Sequence, residues 1–210
     1  MGGEMNAISE QRLIKNIDRV FAKCVRTLGC VLAATLVAVF GITPMLHATT
    51  LARMSLSQMA SAADLVVRAR CVTSASGWAQ GSIWTVTQFD VLETLKGTPQ
   101  AHVQVRLPGG HVGHFTMNVE AAPRFQPGEE GVFFLEKTSE GNYSVTSWAQ
   151  GTFRIAKNAG AGEATVTQDS SAMNVFDAAT RQFRSEGIRN LPLTQFRQRL
   201  LSALAAGNGR

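Results

Sequence analysis

The chain has 210 residues, 45% of them hydrophobic, and a formal net charge of +5. That charge sits at the ends: from 49 to 180 nine Lys and Arg face eleven Asp and Glu, whereas from 181 onward six bases face one acid. A nucleic-acid footprint needs a basic stripe on the folded part itself, so the central region argues against nucleic acid as a partner.

The first predicted element is an address. Leu28 to Met45 carries no charge, and Arg12, Lys15, Arg19, Lys23 and Arg26 precede it. Basic residues before an apolar run hold the start inside and send the downstream chain outside. Leu46-His47-Ala48 offers a small-residue cleavage site before Thr49. Residues 1–48 therefore read as a signal peptide. The apolar run is also long enough to stay as an anchor, the alternative being a protein held in the membrane by Leu28 to Met45. Cleavage leaves roughly 160 residues, about one domain, with a periplasmic or secreted destination. Cys24 and Cys30 lie in the leader, so Cys71 would be alone in the exported part, in an apolar strand pattern that reads as a core thiol.

In the exported part Ser55 or Ser57 can cap a short helix through about Ala63. Leu65 to Thr73 reads as a strand, Ser74 to Gly81 as a turn, and Ile83 to Leu95 as a long strand whose alternation slips near Gln88-Phe89, the mark of a bulge. His102 to Leu107 alternates cleanly and Pro108-Gly109-Gly110 breaks it. Phe115 to Val119 is a short strand. Gly131 to Leu135 is an apolar central strand, and Gly141-Asn142 turns into Tyr143 to Thr146. Thr152 to Ile155 and Ala164 to Thr167 are the last strands. Thr194 to Ala206 predicts a helix capped by Thr194 and stopped by Gly207, with Phe196, Leu200, Leu201 and Leu204 on one face. Such a stripe must dock, on its own domain or on a partner. The expected division is a barrel domain over 49–170 and a C-terminal helical extension over 171–210. Short strands at this spacing with few helices indicate a mainly β fold, a closed barrel or a sandwich.

Ala63-Asp64-Leu65-Val66-Val67-Arg68-Ala69-Arg70-Cys71-Val72, a long strand ending in Leu95-Lys96-Gly97, the strand into Pro108-Gly109-Gly110, and Phe125-Gln126-Pro127-Gly128-Glu129-Glu130-Gly131-Val132-Phe133-Phe134 together resemble the netrin-like module, the OB-type barrel of the tissue inhibitors of metalloproteinases, in a cysteine-poor bacterial exported version. The resemblance spans about residues 56 to 155. It implies a small closed Greek-key barrel of five strands with partner-binding loops. It does not bring inhibition with it: those inhibitors chelate the protease metal through an N-terminal cysteine, and the expected mature start is Thr49-Thr50-Leu51.

The chemistry-bearing residues are few. His111-Val112-Gly113-His114 is the only metal-like spacing, with His102 or Glu120 as a third ligand; two exposed loop histidines with no metal is the simpler account. No Gly-x-Ser-x-Gly, Ser-x-x-Lys or His-Glu-x-x-His is present, so no catalytic residue and no cofactor is assigned. Gly160-Ala161-Gly162 lacks the rest of a dinucleotide loop. Glu129-Glu130 could be a carboxylate pair, but adjacent strand residues point to opposite faces, and a turn leading into a strand is the simpler account. Trp78 and Trp148 stand beside turns and could form a stacking surface for sugar or peptide, while Trp84 fits a strand core. Arg197 and Arg199, with Arg181, Arg184 and Arg189, make a solvated basic face or a contact for an anionic partner. The sequence thus points to an exported, non-catalytic binding or protein-interaction module whose partner is an extracytoplasmic protein or a glycan. Two alternatives stand beside it: a metal-dependent hydrolase or metal carrier using His111 and His114, and a structural part of a cell-envelope assembly docking through the C-terminal helix.

Overall fold

A computed structural model describes residues 51–157 and 162–207. The leader and its apolar run lie outside the described residues, as does most of the Gly160–Gly162 turn. Among the described residues no helix is long and apolar enough to cross a membrane.

Among the described residues the fold is mainly β with two α-helices. Helix α1 (Leu56–Ala62) starts at Ser55, whose Oγ accepts from the Gln58 amide at 3.2 Å while Gln58 Oε1 accepts from the Ser55 amide at 2.8 Å. This reciprocal box satisfies two otherwise orphan donors and settles the cap on Ser55. Strand β1 (Leu65–Ala79) then pairs antiparallel with β2 (Ser82–Lys96), and β2 with β3 (His102–Pro108). Strands β4 (Gly110–Val112) and β5 (Phe115–Met117) form a separate hairpin. Strand β6 (Glu130–Lys137) lies against β1, and β7 (Tyr143–Val145) joins β6 antiparallel and β3 parallel. The order β1-β2-β3-β7-β6 therefore returns to β1. The ring is only partly closed, because the second edge of β6 is shared. Leu135 to Lys137 pair with β7, whereas Glu130 to Phe133 pair with β8 (Thr152–Ala156), which leads on to β9 (Thr165–Gln168) and β12 (Leu191–Pro192).

This topology creates two apolar layers. Inside the ring, Leu65, Val67, Cys71, Phe89, Val105, Phe125, Phe133, Leu135 and Val145 pack together, with Phe89, Phe125 and Phe133 ring centroids 4.8–5.3 Å apart. On the other side of β1, β6 and β8, Val66, Val132, Phe134 and Phe153 meet Met59 and Ala60 of α1. The same layer takes Phe196, Leu200 and Leu204 of α2 (Leu193–Gly207). Strand β6 is covered on both faces, which is why Gly131 to Leu135 is an unbroken apolar run rather than an alternating one.

The structure corrects several expectations. Ser74 to Ala79 is strand, not turn. Ser74 and Ser76 share hydroxyl hydrogen bonds with Thr87 and Thr85 at 3.0 and 2.9 Å, so residues that look like turn formers build a polar cross-strand ladder. Thr85 and Thr87 are buried, and Thr85 donates to the Gly109 carbonyl at 2.6 Å. Strand β2 consequently does not slip at Gln88-Phe89. The extra residue opposite that pair is Val72 of β1, and two more bulges single out Leu92 and Leu95 of β2.

The segment 171–210 is not simply helical. Strands β10 (Val175–Asp177) and β11 (Gln182–Arg184) form a hairpin, and β12 comes next, before α2 begins. Among the described residues this segment pairs with β9 through β12 and packs α2 on the second apolar layer. Thr194 does not cap α2. It sits in the first turn, and its amide donates to Glu163 Oε1 at 2.9 Å. Hydrogen bonds from Thr194 hold the Glu163 carboxyl below the usual carboxylate range, as suits an anion at a helix start. Leu201 is half exposed, whereas Phe196, Leu200, Ala203 and Leu204 are buried.

Candidate functional site

Alternation on three strands puts a polar and aromatic set outside the ring. Ile83, Thr85 and Thr87 of β2 face inward, as do Val105 and Leu107 of β3 and Tyr143 and Val145 of β7. Their neighbours Trp84, Arg106, Pro108 and Ser144 therefore face outward. Trp84 stands directly opposite Pro108 across the β2–β3 ladder. Together with the β6–β7 turn and Trp148 they line a cleft of about 260 Å³.

The Arg106 guanidinium lies 4.4 Å from the centre of the Trp84 ring, a stacked cation–π arrangement, and is ion-paired with Glu140 of the β6–β7 turn. The Trp84 indole Nε1 is buried without a hydrogen-bond partner among the described residues. Trp148, partly buried against the core inside the ring, is the second indole of the lining. It begins a short 3-10 helix (Trp148–Gly151), and both Ser147 and Trp148 adopt left-handed backbone, with φ of 51° and 48°. Consecutive non-glycine residues in this region are strained and persist only where the surroundings enforce them. Here the buried Gln150 does so, donating through Nε2 to Ser147 Oγ at 2.9 Å and to the Ala52 carbonyl at 2.7 Å. The Trp148 carbonyl accepts from Thr152 Oγ1 at 3.1 Å. Two indoles, a guanidinium, a carboxylate and the hydroxyls of Thr138, Ser139 and Ser144 can stack on and hydrogen-bond a ring-shaped or planar ligand.

The other residues singled out by sequence fall elsewhere. Trp78 is 55% exposed near the end of β1 and meets Phe115, itself exposed, edge to face at 5.7 Å. It pairs with Ile83, one position from Trp84, so it projects to the opposite face and does not line the cleft with Trp148. His111 lies on β4, with Nδ1 2.9 Å from Thr116 Oγ1, and His114 is exposed in the adjoining turn. His102 is engaged with Asp90 at 2.8 Å. Among the described residues no group of three or more His, Cys, Asp or Glu side chains is placed to hold a metal ion. Arg197 forms a two-armed pair with Glu93, both arms 2.6 Å, while Arg199 lines a separate cleft beside α1. The helix thus sends its two arginines to different places.

Glu129 and Glu130 part company as expected of neighbours. Glu129 takes Arg154 at 2.5 Å. Glu130, nearly fully buried, takes Arg68 at 2.5 Å, Arg70 at 3.2 Å and Lys157 at 3.3 Å. Burial pushes the Glu130 carboxyl up, but hydrogen bonds from Arg68 and Arg70 and the Arg68 charge outweigh it and leave the group below its ordinary range. Sequence reading missed Arg106 and assigned Trp84 to the core. The signal available was the alternation of β3, which places Arg106 on the same face as Pro108. No family model matches the chain, and no curated protein matches its sequence.

Proposed function

We propose that this is an exported, non-catalytic binding module whose ligand face is the Trp84–Arg106–Trp148 cleft. The observation that carries the reading is the convergence of two indoles and a stacked guanidinium on one cleft, Trp84 and Arg106 from the outer face of β2 and β3 and Trp148 from a strained turn. A cleft rich in aromatic surface with a few convergent polar groups is the usual form of a small-ligand site. The expected ligand is a sugar ring of an extracytoplasmic glycan, or an aromatic or planar side chain of a protein partner.

The strand order supports an OB-type barrel. Strands β1, β2 and β3 are consecutive, and the fourth principal strand, β6, returns by a long connection to lie beside β1, the Greek-key pattern. OB-type barrels are five-stranded, partly open, and bind along their second and third strands and adjoining loops. The cleft lies in the corresponding place, between β2, β3 and the β6–β7 turn. Family-level analogy of this kind raises the reading but does not name the ligand. Export rests on the charge-flanked run Leu28 to Met45.

Tryptophan fluorescence of the full chain should change on titration with some member of a panel of neutral and acidic oligosaccharides and short aromatic peptides. The change should disappear in Trp148→Ala, and the panel should be recovered chemically intact. Turnover of a panel member, or binding indifferent to Trp148 and Arg106, would reject the proposal.

A further inference from the structure

We infer that a second cleft, lined in part by Gln150, binds a small organic anion that carries an apolar body. This goes beyond the tryptophan cleft and uses none of its residues. The cavity holds about 610 Å³, within the range of sites for small molecules. Its charged wall is assembled from three distant parts of the chain: Arg53 before α1, Arg189 before β12, and Arg199 on α2. Its apolar floor includes Met59, Phe153 and Ile188.

The charge is not balanced within the cleft. Glu186 is the single carboxylate in the lining, and it pairs with Arg53 at 2.9 Å; Arg53 also meets Asp177 at 3.1 Å. Arg189 is held in place by donating to the Ser171 carbonyl, and neither Arg189 nor Arg199 has a carboxylate partner among the described residues. Two guanidiniums without counterions over an apolar floor select a ligand with an anionic head and a hydrophobic body. The guanidinium fork suits a carboxylate or a phosphate, each of which can accept two parallel hydrogen bonds.

The walls are rigid for a reason visible in the core. The buried Gln150 accepts from the Met54 amide at 2.8 Å and so fixes the segment that carries Arg53. The buried Gln168 exchanges two hydrogen bonds with Ile188, its amide donating to the Ile188 carbonyl at 2.8 Å, and so fixes the segment that carries Arg189. Preorganised donors of this kind lower the cost of binding.

The test is calorimetric titration of the full chain with phenyl phosphate, phenylacetate, benzyl alcohol and inorganic phosphate. At least one of the two organic anions should bind at least about 10-fold more tightly than benzyl alcohol and than bare phosphate, and salt should weaken it. Arg199→Ala should weaken that anion by about 10-fold or more, and Glu186→Gln should tighten it, while Lys137→Ala, a charge removed elsewhere, should do neither. Which organic anion binds tighter distinguishes phosphate from carboxylate recognition. Equal affinity for the alcohol, equal affinity for bare phosphate, no heat with either anion at millimolar concentration, or a Glu186→Gln variant that binds more weakly overturns the inference.

Discussion

Gln168 Nε2 donates to the main-chain carbonyl of Gln150 at 2.7 Å, in a site where both side chains are almost fully buried. Between them the two carboxamides tie together residues 52–54, the 3-10 turn at Trp148, strand β9 and the segment leading to β12. Both line the cleft of Arg53, Arg189 and Arg199, Gln150 also holds Ser147 beside Trp148, and each amide uses its donor and its acceptor.

Breaking this relay should be costly. Gln168→Leu keeps the approximate volume but strands the Gln150 carbonyl and the Ile188 amide, which loses its acceptor Gln168 Oε1. Leaving a buried polar group unpaired costs about 1–3 kcal/mol. Urea unfolding of the variant should show a lower midpoint with an unchanged slope; an unshifted midpoint would mean that the relay contributes nothing.

Glu130 predicts an acid limb of stability. Its folded-state pKa lies below the ordinary value, so its contribution is present above the unfolded carboxylate range, near pH 4.3, and is lost as pH falls through the depressed folded value. Stability should decline on acidification below about pH 4.5. Glu130→Gln should flatten that decline and, at pH 7, cost about 1.5–3 kcal/mol, because the charge-assisted hydrogen bonds from Arg68 and Arg70 are lost. The comparison needs urea midpoints of both proteins from pH 3 to pH 7, and parallel curves would count against the assignment.

Helix α2 offers an internal contrast. Phe196 is 1% exposed between Phe153 and the α1 side, and the Phe153 and Phe196 rings lie 5.0 Å apart. Phe196→Ala should cost about 3–5 kcal/mol, whereas Leu201→Ala, on the solvent side, should stay within about 0.5 kcal/mol. Thermal midpoints of the two variants measured side by side decide it. A similar loss in both would place the buried face differently.

Cys71 should behave as a small core group. It is 2% exposed, its Sγ faces the Thr73 carbonyl at 3.8 Å, and burial pushes its thiol pKa up, with Glu129 adding to the effect. A thiol-specific dye at pH 8 should label the folded chain at Cys71 far more slowly than the urea-unfolded chain, a difference resolved by peptide mapping. Cys71→Ala should cost about 1 kcal/mol.

Much of the fold was legible because its causes are local. The helix start at Ser55 or Ser57, the alternation of His102 to Leu107, the apolar run of β6 and the 3.6-residue spacing of Phe196, Leu200 and Leu204 each express a preference that a short segment states on its own. Reading failed where a residue's partner lies far along the chain. Ser74 and Ser76 look like turn residues until Thr87 and Thr85 stand across from them. Trp84 looks like core until ring closure through β7 makes its side of β2 the outside. Arg189 and Arg199 read as part of one basic face and Arg53 as unrelated to it, until Gln150 and Gln168 hold the segments of Arg53 and Arg189 at the cleft that Arg199 also lines. Periodicity determines which side chains share a face, because it arises from backbone geometry within one element. Which face becomes interior, and which distant charges become neighbours, was decided only by tertiary pairing, since one strand pattern allows several closures and only the packed whole selects among them.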